Sequence, residues 1–196
     1  MEPEAGKARL IELLKTKALT HRDEPMQLAS GEWSRDFIDG KEGLADYDDL
    51  EFACQTIVQE VQRHGIRFEA AGGLTLGADA LAVGVAAAAR CKWFFVRKKA
   101  KERGTGRLIE GARIGPGWRV LLVDDVVTLG GSIMTAYEAI TETGAKVVAA
   151  STLVDRGDVA VLEFKRIGVP YFPMATYADL GIPPVGSGAR GVQAPR

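Results

Sequence analysis

The sequence predicts an α/β domain with a mainly parallel central sheet, helices on both faces and a small N-terminal appendage. Three observations point there. Residues 119–124 (RVLLVD) form an unbroken aliphatic run, the pattern of a strand buried on both sides. Further short apolar runs alternate with segments of helical period, which implies right-handed crossovers between parallel strands. The length of 196 residues suits one globular domain with a little to spare.

Each element follows from its local pattern. Residues 4–19 place Leu10, Leu13, Leu14 and Ala18 at helical spacing, so an amphipathic helix opens the chain. Residues 26–41 read as two short strands about a Ser30-Gly31 turn. From 46 to 64 the series Leu50, Ala53, Cys54, Ile57, Val58, Val61 is again helical, and Gly65 ends it. Residues 68–71 form a short strand, 72–77 (GGLTLG) a glycine-rich turn, and 78–90 a helix. Residues 93–96 form a buried strand, followed by a polar stretch to Trp118. After the central strand come a helix at 131–143, a strand at 146–154, a helix at 159–167 and a last strand at 171–175. The Gly- and Pro-rich end, 182–196, reads as a flexible tail, and no internal repeat is present.

Composition excludes several function classes. Hydrophobic residues make up 46% and charged residues 26%, which provides for a real core. A net charge of −1 gives no field for nucleic acid or a membrane surface. The longest apolar run, 81–89, is too short to span a bilayer, and the charged N-terminus does not resemble a secretory signal. Two cysteines without C-x-x-C spacing fit reduced thiols and a cytoplasmic location. His21 and His64 alone leave almost no material for a zinc cluster or a histidine-based triad.

Chemistry concentrates after the central strand, in VLLVDDVVTLGGS. Asp124 and Asp125 stand at the strand's C-terminal end, the edge where open parallel sheets bind ligands. Adjacent strand residues face opposite ways, so the two acids have different tasks: one suits a sugar diol, the other the loop or a hydrated metal. Thr128, Leu129, Gly130, Gly131 and Ser132 then lead into a helix, where backbone N–H groups, two hydroxyls and the helix N-terminus suit a phosphate. An ordinary strand-to-helix turn uses glycine for geometry alone; the preceding acid pair favours the phosphate reading. No G-K-[ST] follows, so this is not a nucleotide-triphosphatase loop.

A second concentration is cationic. Residues 92–113 hold eight basic side chains, among them Arg97, Lys98, Lys101 and Arg103, against two acids, Glu102 and Glu110. Glycines at 104, 106 and 111 suit a loop that closes over a site, and a departing pyrophosphate needs preorganised cations. Taken by itself, such a run is equally a solvated loop.

The acid pair with its loop resembles the phosphoribosyl-pyrophosphate (PRPP) signature of type I phosphoribosyltransferases. The stretch RKKAKERGTG resembles the catalytic loop of the orotate phosphoribosyltransferases within that family, R-K-x-x-K-x-H-G, with Arg103 in place of the histidine. Residues 28–39 resemble the substrate hood, residues 72–79 the pyrophosphate loop, and Leu153-Val154-Asp155-Arg156 the strand end whose arginine binds the orotate carboxylate. The resemblance runs from about residue 26 to 180.

It implies a type I phosphoribosyltransferase-like fold with a helix and substrate hood at 1–45, a core at 46–181 and the tail at 182–196. It further implies transfer of phosphoribosyl from PRPP to orotate, with Mg2+ held mainly by substrate and water rather than directly by the protein. Lys98, Lys101, Arg103 and Asp125 are the expected catalytic residues. Arg97, Lys98, Lys101, Asp124, Asp125, Thr128, Leu129, Gly130, Gly131, Ser132 and Thr75 are expected on PRPP, and Thr128, Arg156 and Phe37 on orotate. The family's loop closes over a neighbouring subunit, which implies a homodimer. Two alternatives stay open: a phosphoribosyltransferase for another nucleobase, since Ala29, Ile38 and Arg103 depart from common orotate patterns, and a non-catalytic PRPP-sensing regulator.

Overall fold

A six-stranded sheet in the order β5-β4-β3-β6-β7-β8 organises the chain, with a separate two-stranded ribbon, β1-β2, beside it. The computed structural model describes residues 3–99 and 107–185. Helix α1 (Pro3–Lys17) precedes the ribbon strands β1 (Leu19–Gln27) and β2 (Trp33–Ile38), and a one-turn helix α2 (Gly40–Gly43) follows them. Then come α3 (Tyr47–Arg63), β3 (Ala70–Leu74), α4 (Asp79–Ala89), β4 (Lys92–Val96) and β5 (Ile109–Gly111). The chain continues through β6 (Arg119–Val127), α5 (Gly131–Glu142), β7 (Lys146–Asp155), α6 (Val159–Arg166) and β8 (Tyr171–Thr176).

The parallel pairs are β3-β4, β3-β6, β6-β7 and β7-β8; β5 alone runs antiparallel, against β4. Central strand β6 shows why both faces are covered. Leu121 and Val123 pack toward the cluster that includes α1, α3 and α4, while Val120 and Leu122 pack toward α5 and α6. Ile57, Val61, Leu81 and Val85 fill the first layer; Ile133, Ile140 and Phe164 fill the second. This is the two-faced α/β arrangement expected from the apolar runs.

Three details depart from expectation, each for a local reason. The expected turn at 72–77 begins later, because Gly72 and Gly73 belong to β3. A methyl group on either would strike the backbone of a neighbouring strand, at Phe94 or Val123. The ribbon's first strand begins at Leu19 rather than 26, since a polar sequence gives no alternating signal where a strand is solvated. The short strand β5 lies in the stretch read as irregular, at three residues too brief for a period to register.

Candidate active site

Strand β6 carries the two carboxylates past the point where its neighbour β3 stops pairing with it. Asp124 is buried; its Oδ1 accepts from the Asp125 amide at 3.0 Å, and Asp125 Oδ1 accepts from the Val126 amide at 2.7 Å. Burial, followed by the neighbouring Asp125 charge, pushes the Asp124 carboxyl well above the ordinary carboxylate range. Gly77 at the end of the β3–α4 turn is required here, because a methyl group there would collide with the Asp125 carboxylate.

A cleft of about 900 Å³ opens over this pair, within the range of small-molecule sites. It brings together Thr75, Asp124, Asp125, Arg97, Lys98 and Ser132, six residues expected to meet from sequence. A hollow of about 290 Å³ adjoins it, lined by Thr128, Leu129, Gly130, Gly131 and Ser132 and sharing Asp124 with the cleft. Gly130 caps α5 with φ +78°, a left-handed conformation that suits glycine, and the space beside Gly131 is open. The first turn of α5 therefore faces a cavity with its amides available, the arrangement that receives a phosphate.

At the β4 end, the Arg97 amide donates to the Leu108 carbonyl, and its guanidinium lies 3.8 Å from Glu110. Lys98 is exposed at the rim. Lys101 and Arg103 lie outside the described residues.

Arg156 follows β7 and is 1% exposed. Its amide donates to the Val127 carbonyl, which sets it beside the start of the phosphate loop. Its guanidinium reaches 120 residues back to the ribbon, donating to the Asp36 carbonyl at 2.7 Å and to Ser34 Oγ at 3.2 Å. Nε has no partner; burial lowers the guanidinium pKa, and the nearby Asp36 charge offsets this only in part. The neighbouring Asp155 does not pair with this charge: Oδ1 accepts from the Gly157 amide, Oδ2 is unpartnered, and burial pushes its carboxyl up to about 6.

Phe37 is not brought to this cluster. Ser34, Asp36 and Ile38 alternate as the buried face of β2, so Phe37 lies on the other, partly covered face.

Two residues of the cleft were not singled out from sequence. Lys41 of α2 lines it and reaches Asp125, and Asp79 lines it with a buried, unpartnered Oδ1. The turn Asp39-Gly40-Lys41 directly after a hood strand was a signal for the first; Asp79 closes the 72–79 segment that resembles the pyrophosphate loop, where it was given no role of its own. Among the described residues no group of three or more His, Cys, Asp or Glu side chains is placed to hold a metal ion, so Asp79, Asp124 and Asp125 form no ready-made cation site.

The chain has clear relatives among known proteins. The phosphoribosyl transferase domain model matches residues 45–165. The chain is 37% identical over 153 residues to the orotate phosphoribosyltransferase of Pyrococcus abyssi, covering 78% of this chain and 84% of that one. It is 37% identical over 182 residues to the Streptomyces coelicolor orotate phosphoribosyltransferase, covering 90% and 97%. The crystal structure of Mycobacterium tuberculosis orotate phosphoribosyltransferase in complex with PRPP superposes with a TM-score of 0.72 at 29% identity, over 90% of this chain and 99% of that one. The acid pair and the phosphate loop both fall within the matched domain, and the chain belongs to the phosphoribosyltransferase family, among its orotate phosphoribosyltransferases.

Proposed function

We propose that this protein transfers the phosphoribosyl group of PRPP to orotate, forming orotidine 5′-monophosphate and pyrophosphate, a step of pyrimidine biosynthesis. One observation supports the base most directly: a buried guanidinium with an unspent donor, at the same sheet edge as the acid pair. Burial outweighs the Asp36 charge at this guanidinium, so a further counter-charge is favourable. A planar carboxylate such as orotate's supplies one through charge-assisted hydrogen bonds.

In the reaction, N1 of orotate forms a bond to the anomeric carbon of the ribose. The bond from that carbon to the pyrophosphate oxygen breaks, pyrophosphate leaves with the electron pair, and the N1 proton is lost. Positive charge develops on the sugar as the bond loosens, as in glycoside cleavage. No side chain serves as nucleophile.

Asp124 and Asp125 accept hydrogen bonds from the ribose hydroxyls. Thr128, Leu129, Gly130, Gly131 and Ser132 cradle the 5′-phosphate, and Thr75 with the turn around it faces the pyrophosphate. Arg97, Lys98, Lys101 and Arg103 neutralise the departing pyrophosphate, the last three as catalytic groups with Asp125. Arg156 and Thr128 hold orotate; Phe37 acts on the base indirectly, through the packing of the ribbon. Mg2+ would be held mainly by substrate and water and would supply positive charge against the departing pyrophosphate. The enzyme works as a homodimer in which the lysine-rich loop of one subunit covers the site of the other.

The test is orotate consumption followed by ultraviolet absorbance, with PRPP and Mg2+, beside uracil, adenine and xanthine. Orotate alone is expected to turn over. In Arg156→Ala, the KM for orotate should rise by about two orders of magnitude, the scale of losing two charged hydrogen bonds, with PRPP affinity retained. Turnover of another base in place of orotate would refute the assignment.

A further inference from the structure

Lys41 is the one described cation in ion-pair contact with the acid pair, and it comes from the hood rather than the core. Its Nζ lies 3.1 Å from Asp39 Oδ1 and 3.4 Å from Asp125 Oδ2. Asp125 is the better buried partner, with 15% of its side chain exposed against 54% for Lys41.

The approach is built into the backbone. Asp39 Oδ1 accepts from the amides of Lys41 and Glu42, fixing the turn of α2, while the Asp39 amide donates to the Ala18 carbonyl. Gly40 then presses on β6 and β7: a methyl group there would stand 3.1 Å from Asp125 Cβ and 3.2 Å from Leu153 Cδ1. Asp39 thus serves twice, holding the helix start with its oxygen and orienting the Lys41 ammonium toward Asp125.

We propose that Lys41 is a positioning residue for the phosphoribosyl donor, tying the hood to the acid pair and holding Asp125 in place to receive the ribose hydroxyls. The proposal rests on reading the cleft as a PRPP site. Two adjacent carboxylates repel, and a cation on the outer oxygen of Asp125 offsets that repulsion while leaving the pair available as acceptors. The remaining charged groups of the cleft, Asp79 from α4, Glu110 from β5 and Arg97, Lys98 and Lys99 beyond β4, come from the core. Lys41 alone among them links donor binding to the seating of the hood, so its loss is felt by PRPP before it is felt by the base.

The experiment is calorimetric titration of PRPP with Mg2+ into wild type, Lys41→Met and Lys41→Arg, without any base present. Lys41→Met keeps the stem and removes the charge; its PRPP affinity should fall about three- to fivefold, the scale of one half-exposed charge pair. Lys41→Arg should recover most of that loss. Melting temperatures should agree within about 2 °C, since a partly exposed ion pair contributes little to stability. Lys41→Met binding PRPP as tightly as wild type would overturn the proposal. So would Lys41→Arg as weak as Lys41→Met, which would assign the effect to shape rather than charge. Wild-type protein that takes up no PRPP would sink the parent reading and this inference with it; wild-type binding with an indifferent Lys41→Met sinks this inference alone.

Discussion

Asp124 exposes a conflict between folding and function within one side chain. Burial and the Asp125 charge raise its folded pKa above the unfolded value, so the folded state binds the extra proton more tightly. Stability from this group is greatest below the unfolded pKa and is lost as pH rises from there through the raised folded value. Asp124→Asn removes the buried charge. It should melt about 3 °C above wild type near pH 8, with the gap closing toward pH 5, while PRPP binding drops below detection. Thermal scans at both pH values check the sign; a gap that widens on acidification would contradict it. Arg156 teaches the complementary lesson. Its residue type and its strand-end position were readable, and the structure sets it beside the end of the acid-pair strand. Its cover by Ser34 and Asp36 was not, because that contact joins residues about 120 apart and depends on how the ribbon folds over the edge.

At the scale of elements, the core strands and helices were legible because burial imposes a period, and β6 was clearest because both its faces are covered. The ribbon's first strand and β5 were not, one being solvated and the other three residues long. The loop at 128–132 stood out in the sequence, yet its two glycines looked equivalent there and are not. Gly130 has φ +78°, whereas Gly131 begins α5 with nothing within 4 Å of the place a methyl group would take. Gly130→Ala should therefore cost about 1 kcal/mol of stability, seen as a melting temperature lowered by about 2–4 °C. Gly131→Ala should leave melting unchanged or slightly raised, since alanine is the better helix former. Its methyl group instead narrows the phosphate hollow, so PRPP affinity should fall by about tenfold, measured by calorimetry. Equal melting temperatures for the two variants would contradict the assignment of separate tasks.

For the whole molecule, the basic stretch leaves β4 beside the cleft, with Arg97, Lys98 and Lys99 in its lining. Among the described residues the cleft is walled by the hood, the β3–α4 turn and β6, with Lys98 and Lys99 at the rim. The shared lid proposed above would make catalytic competence a property of the pair, and a mixture of two variants tests it. Lys101→Ala removes a lid charge and Asp125→Asn removes a core acid, so each homodimer should be nearly inactive. Unfolded together and refolded at equal amounts, half of the dimers are mixed, and each mixed dimer holds one site with both wild-type halves. Recovery of about a quarter of wild-type turnover is then expected by random pairing. A lid that closes on its own subunit gives no recovery in the same mixture, because every site then carries one of the two substitutions; that outcome would place the whole catalytic machinery within a single chain.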